Sequence, residues 1–323
     1  MSGPVEKGPA YLNAAAIAAA VPPAAAVEAV ESALRGGVDP AEDVPRSVVP
    51  VRAGQLLLMP SESEQHVGVK VASVSAGNPA RGLARISATY VLLDAETLRP
   101  LALLDGVALT ALRTPAVSVA AVSPWLRRFD HPARLVVFGA GPQGVGHVQT
   151  LAAVSPLVGV DIVVRNPERV RLPDLAVDVR VLAAADGAVE AALREADVVV
   201  CATTARTPLF DSSLLGDGTV VIAVGSHEAD AREVDGALFG RATVVVEDVA
   251  TARRECGDVV MAEAEGRLDP RSLVPMRDVV MGRVPPGSTP VLFKGSGMSW
   301  EDLVVAEAVV ARIRSEAGRG QAG

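Results

Sequence analysis

The alternation of apolar and polar positions changes rhythm twice along the chain. An opening arm with Gly3, Pro4, Gly8 and Pro9 reads as loose through its first dozen residues. An Ala-rich stretch with helical spacing follows. Asn13 is placed to cap a first short helix, and Pro22 to open a second that runs through Leu34 and ends at Gly36-Gly37. From Ser47 to Leu104 the pattern shortens to β-rich runs, Val48 to Val51, Leu56 to Met59, Val67 to Val74 and Tyr90 to Leu93, punctuated by Pro and Gly, which predict an antiparallel domain. Asp94 to Thr97 is placed as a hairpin turn before Leu101 to Leu104, and Ala108 to Val122 reads as a helix leaving that domain. From Arg134 strands alternate with helices: Leu135 to Phe138, a helix from Pro142, then Val160 to Val164, Val179 to Leu182, Asp197 to Cys201, Val220 to Val224, Thr243 to Val246 and Val291 to Phe293. A last helix runs from Glu301 to about Arg314. Strands this continuously apolar predict a parallel sheet covered on both faces, and so an α/β fold.

The turn after the first of these strands carries the clearest chemistry. Gly139, Gly141 and Gly144 form G-x-G-x-x-G between an apolar strand and a helix. The first glycine permits a tight turn, the second lets backbone approach a pyrophosphate, and the third lets the helix pack on the strand. Pro142 suits the first helical turn, and Gln143 completes the loop. A dinucleotide on a Rossmann-type sheet is the expected ligand. At the end of the second strand stand Val164, Arg165 and Asn166, with Asp161 too near the strand start to reach a ribose. Without a carboxylate there, and with Arg165 to meet a 2'-phosphate, NADP is expected, with NAD as the alternative and a solvated loop arginine as the competing reading of Arg165.

Composition narrows the partners. The 323 residues are half apolar, with a net charge of -8 and no long run of like charge, which leaves nucleic acid nothing to bind. Cys201 and Cys256 follow no metal-ligand spacing and read as thiols in a reducing compartment, hence the cytoplasm. The apolar stretch from Ala14 to Val30 is broken by Pro22-Pro23 and Glu28 and is neither a leader nor a membrane span. Of thirty Lys plus Arg, only Lys7, Lys70 and Lys294 are lysines. A lysine in an apolar segment therefore draws notice; for Lys294 ordinary drift is an equal reading.

Several segments together resemble the ornithine cyclodeaminase and mu-crystallin family: Pro45 to Pro50, Leu58-Met59-Pro60, Gly68 to Lys70, Leu104-Asp105-Gly106, Leu109 to Thr114, Gly139 to His147, Val224 to His227, Ala231 to Asp235, and Phe293-Lys294 through Glu301-Asp302. The resemblance implies a homodimer with a split α+β substrate and dimerisation domain, residues 1–120 with 296–323, around a Rossmann domain, residues 121–295. It assigns the substrate α-carboxylate to Arg46, Lys70 and Arg113, a set whose guanidinium forks and ammonium suit a planar anion. It places Thr114, Thr203, Thr204, Gly225, Ser226, Lys294 and Gly297 with Gly139 to Gly144 on the cofactor side.

Two departures bear on the reaction. The position where cyclodeaminases carry a glutamate, two residues before Met59-Pro60, is Leu57, and a second carboxylate position is His227. Leucine cannot move a proton and histidine is no fixed anion. The expected activity is therefore NAD(P)H-dependent reduction of a small imino acid, or oxidation of the amino acid, by hydride transfer, with Lys70 or His227 as proton donor. A cyclodeaminase-like lyase and a non-catalytic NADP-binding protein are the alternatives. Asp230, Glu233 and Asp235 read as helix-capping and first-turn residues, and His66, His131 and His147 as hydrogen-bonding or packed.

Overall fold

The computed structural model describes residues 8–226 and 228–321. In chain order they form β1 (Ala10–Leu12), α1 (Ala14–Ala20), α2 (Pro23–Arg35), β2 (Ser47–Val51), β3 (Gly54–Glu62), β4 (His66–Val74), β5 (Ile86–Asp94), β6 (Pro100–Asp105) and α3 (Gly106–Leu126). There follow β7 (Ala133–Phe138), α4 (Pro142–Val154), β8 (Leu157–Val164), β9 (Val179–Ala183), α5 (Ala188–Arg194), β10 (Val198–Cys201), β11 (Val220–Ala223), α6 (Gly236–Phe239), β12 (Thr243–Val246), α7 (Val249–Glu255), α8 (Gly257–Ala264), β13 (Val274–Pro275), α9 (Met276–Val280), β14 (Val291–Lys294) and α10 (Ser299–Gln321). Two compact units result. The first holds the chain up to Val30, Glu42–Arg113 and the segment from Met298; the second holds Glu31–Ala41 and Thr114–Gly297.

The first unit is built on a six-stranded sheet in the order β1-β6-β5-β4-β3-β2. Strands β2 to β6 pair antiparallel, and Asp94 closes the β5–β6 hairpin by accepting from Thr97 N at 2.8 Å. The opening arm is not loose throughout: Ala10 to Leu12 pair in parallel with β6, a match to a distant strand that no local pattern announces. Asn13 caps α1 as expected, its side chain accepting from Ala16 N at 2.9 Å. Along β4, Gly68, Lys70 and Ala72 are buried while on the other face Val69 is half-exposed and Val71 exposed. α10 covers the buried face: Asp302 bonds Lys70 and Glu307 bonds His66.

The second unit is an eight-stranded sheet, parallel throughout, in the order β13-β12-β14-β11-β10-β7-β8-β9. Its two middle strands, β10 and β11, are apolar at every position because both faces are covered, and Val136, Val199, Val221, Val244 and Leu292 meet in one core. Among the described residues one helix, α3, has the length and apolar composition to cross a membrane, and most of it is buried within the protein.

Candidate active site

The glycine turn has the geometry its sequence demands. Gly139 has φ +105°, and a Cβ there would meet the Ala202 carbonyl at 2.5 Å. A Cβ at Gly144 would stand 2.0 Å from the Gly139 carbonyl, so α4 can lie against β7 only with glycine at that position. Gly141 is the N-cap of α4 with no side chain of its own capping it, Pro142 follows, and the space beside Gly141 is open. The helix start thus offers backbone N–H groups and a positive dipole end to an anion. These residues fit a dinucleotide pyrophosphate. Gln143 supplies the carbonyl that holds His147 Nδ1 at 2.7 Å, and His147 Nε2 meets Ser118 Oγ at 3.0 Å. Burial draws the His147 pKa down to about 4, so it is a neutral packing residue.

Arg165 is exposed just past β8. Asp161, mid-strand, is held bidentately by Arg180 at 2.6 and 2.9 Å and is committed to that pair. Thr204 is exposed after β10, and Thr114 is half-buried on α3.

Other cofactor-side candidates turn out to hold loops. Glu233 is not a helix cap: it is buried, and its carboxylate accepts from Thr203 N and Oγ1, both at 2.7 Å, and from Gly225 N at 2.7 Å. The short helix that follows, α6, is capped by Asp235, as expected, while Asp230 pairs with Arg206 on the surface. Ser226 is buried and donates to the Ala231 carbonyl at 2.5 Å, closing its own turn. Lys294 is wholly enclosed, with Nζ donating to the carbonyls of Ala223 (3.3 Å), Ser226 (2.6 Å) and Gly295 (2.8 Å), so its ammonium is directed at backbone. Gly297, with φ +80°, gives its N–H to Glu247 at 2.9 Å. His227 lies outside the described residues.

The first unit assembles the predicted cations around unforeseen anions. Lys70 sits on β4 facing α10, and Arg113 on α3; both side chains are about 5% exposed. Lys70 Nζ donates to Asp302 Oδ2 at 2.6 Å and to Thr110 Oγ1 at 3.4 Å. Arg113 bonds Glu301 through Nη1 and Asp302 through Nε at 3.4 Å. Two cations and two carboxylates thus neutralise one another where single charges would be costly. The Lys70 pKa falls to about 8, first from burial and then from the Arg113 guanidinium, with Asp302 opposing. Asp43 sets the start of α10 by accepting from Ser299 N at 2.8 Å and Trp300 N at 3.1 Å. Adjacent acids at a helix start were a signal for Glu301 and Asp302, but not for their partners.

Register places the remaining positions. Ser47 pairs with Leu58, and Met59 with Lys70, so Arg46, one residue before β2, falls in line with Met59 and Lys70 on one face. Leu57 pairs with Ala72, two residues along β4 from Lys70, and shares that face.

Comparison with known proteins follows the same lines. The family model described as the ornithine cyclodeaminase/mu-crystallin family matches residues 10–317. The chain belongs to this family. Among its relatives in the ornithine cyclodeaminase/mu-crystallin family, Delta(1)-pyrroline-2-carboxylate reductase 2 of Burkholderia ambifaria is 32% identical over 285 residues, 85% of this chain and 86% of that protein. The ketimine reductase mu-crystallin of Mus musculus is 30% identical over 271 residues, covering 82% and 83%. The structure of Thermococcus litoralis Delta(1)-pyrroline-2-carboxylate reductase in complex with NADH and L-proline superposes with a TM-score of 0.84 at 26% identity, over 95% of this chain and 98% of that one.

Proposed function

We propose that this chain is an NAD(P)H-dependent reductase of small cyclic imino acids, such as pyrroline-2-carboxylate. The observation that carries the reading is Leu57 standing on the Lys70 face of the sheet, so that the side chain beside the cation cluster is apolar and unable to manage water or ammonia. The names of the 30–32% identical relatives support it. When bound, the nicotinamide cofactor supplies the hydride. Residues Gly139 to Gly144 and Thr204 hold the dinucleotide, and Arg165 favours NADP while leaving NAD acceptable. Arg46, Lys70 and Arg113 hold the substrate carboxylate. Lys70 also keeps a proton near the imine nitrogen.

Purified protein mixed with NADPH and pyrroline-2-carboxylate should oxidise the cofactor. No turnover across a panel of cyclic and acyclic imino acids removes the proposal, and ammonia release from ornithine supports the lyase alternative instead. The pH profile adds a sign. A Lys70 ammonium that titrates near 8 is lost as pH rises, so kcat/KM should fall above about pH 8. In Lys70→Arg that limb should move upward, because guanidinium does not deprotonate in this range; an unmoved limb assigns it to another group.

A homodimer is also proposed, from the sheet face opposite α10. Val49, Val51 and Val71 are exposed there, and Leu56, Leu58, Val69, Val91 and Leu103 half-exposed, an apolar surface of the kind monomers seldom leave open. Sedimentation equilibrium should give twice the chain mass; a monomer at micromolar concentration overturns it. The two free cysteines, both buried, are in keeping with a cytoplasmic protein.

A further inference from the structure

The parallel sheet of the second unit carries at its carboxyl edge a continuous run of buried charged contacts that the hydride chemistry above does not use. Strand order divides that edge. The glycine turn follows β7, which with β8 and β9 makes one mononucleotide half; the order reverses between β7 and β10, so the second half of a dinucleotide falls to β10, β11 and β14. There Glu233 ties the loop after β10, through Thr203, to the loop after β11, through Gly225. Gly225 has no room for a side chain, since a Cβ would meet Thr203 O at 2.1 Å and Glu233 Oε1 at 2.5 Å. Lys294 ties β14 to the carbonyls of Ala223 and Ser226. Glu247, just past β12, holds Ser296 N and Gly297 N, both at 2.9 Å, one on each oxygen. Asp258, at the start of α8, accepts from Glu233 N at 2.7 Å and Val234 N at 3.0 Å, with its other oxygen 3.6 Å from Lys294 Nζ.

All four side chains are at most 5% exposed. Glu233 and Glu247 each accept from backbone N–H groups on both oxygens, and the Thr203 hydroxyl, which itself accepts from Ala205 N, must direct its proton at Glu233. Such surroundings call for carboxylates. Burial raises the Glu233 pKa, and Lys294 with the Thr203 and Gly225 donors opposes that rise by favouring the carboxylate. As carboxylates, the three acids outnumber the one ammonium, which leaves excess negative charge where water screens it poorly.

We infer that Glu233 and Glu247 are positioning residues whose buried negative charge favours the oxidised over the reduced dinucleotide, and so drives hydride toward the imine. Hydride transfer to the imine carbon, with a proton to its nitrogen, leaves a positive charge on the nicotinamide ring. Fixed anions at this edge stabilise that charge without reorganising. The inference rests on the chain being dinucleotide-dependent, and extends that reading from what is bound to which redox state is preferred.

Equilibrium titration of the full-length protein with NADP+ and with NADPH tests it. The unmodified protein should bind the oxidised form at least as tightly as the reduced. In Glu233→Gln the ratio of oxidised to reduced Kd should rise about 5- to 30-fold, the range expected for removing one poorly screened unit charge. Glu247→Gln should move the ratio in the same direction by less. A purely structural clamp would weaken both forms in proportion, and that result, or an unchanged ratio, overturns the inference. Should neither variant fold, an unmodified protein that binds NADPH much more tightly than NADP+ overturns it by itself. Binding of neither form defeats the dinucleotide reading and this inference together. Binding of both without ketimine turnover defeats only the substrate assignment, and the ratio still decides.

Discussion

Replacing Asp302 by alanine is expected to lower stability by about 3–5 kcal/mol, a large share of what holds a domain together. Asp302 receives Lys70 at 2.6 Å and Arg113 at 3.4 Å, in a cluster almost sealed from solvent. Removing it leaves a buried ammonium without its nearest counter-ion. The Lys70 pKa should then drop further, because the carboxylate that opposed the fall is gone. Two readouts follow: a lower urea midpoint, and a KM for the imino acid that rises at neutral pH as Lys70 loses its proton. Asp302→Asn keeps the volume and separates charge from packing. A midpoint shift equivalent to less than about 1 kcal/mol would mean that the ion cluster is no more than a surface-like pair.

That cluster also marks how far the sequence can be read. Lys70 and Arg113 stand out locally, one as a rare lysine in an apolar strand and the other in a helix of small residues. Their partners do not, because Asp302 is 232 residues from Lys70 and 189 from Arg113. Glu233 shows the same limit in another form. Acids between a strand and a helix usually cap the helix, and here Asp235 does so while Glu233 turns back to Thr203 and Gly225. The glycine turn, the strand succession and the Asn13 cap were legible because each is decided within a few residues. β1 was not, because three mostly exposed residues become a strand only by meeting β6.

Gly144→Ala should damage both the packing of the second unit and its dinucleotide site. The added carbon would stand 2.0 Å from the Gly139 carbonyl, and that neighbour is backbone. Either α4 moves off β7 or the turn opens. Overpacking of this kind costs about 1–3 kcal/mol of stability. The larger effect should be on the dinucleotide, since a displacement near 1 Å of the helix start from the pyrophosphate can weaken a positioned interaction about 100-fold. Calorimetric titration with NADPH measures it directly. Gly141→Ala is the informative companion: beyond its chain neighbours, a Cβ there meets nothing within 4 Å. It should therefore leave the apo protein's thermal midpoint nearly unchanged while still hindering the approach of a phosphate. Equal cofactor affinity in Gly144→Ala and the unmodified protein would contradict the geometry.

The hydrogen bonds from Ser299 and Trp300 to Asp43 join positions 256 and 257 residues apart. For a chain made from its N-terminus onward, this orders events in time. The second unit has its whole sequence once Gly297 has emerged, whereas the first unit, whose strands β1 to β6 precede it, has no α10 until residues 299–321 have been made. Its sheet must wait with the face bearing Lys70 uncovered, and long-range closure of this kind is slow. During synthesis, the strand that bears Lys70 is made before the second unit and covered only after it.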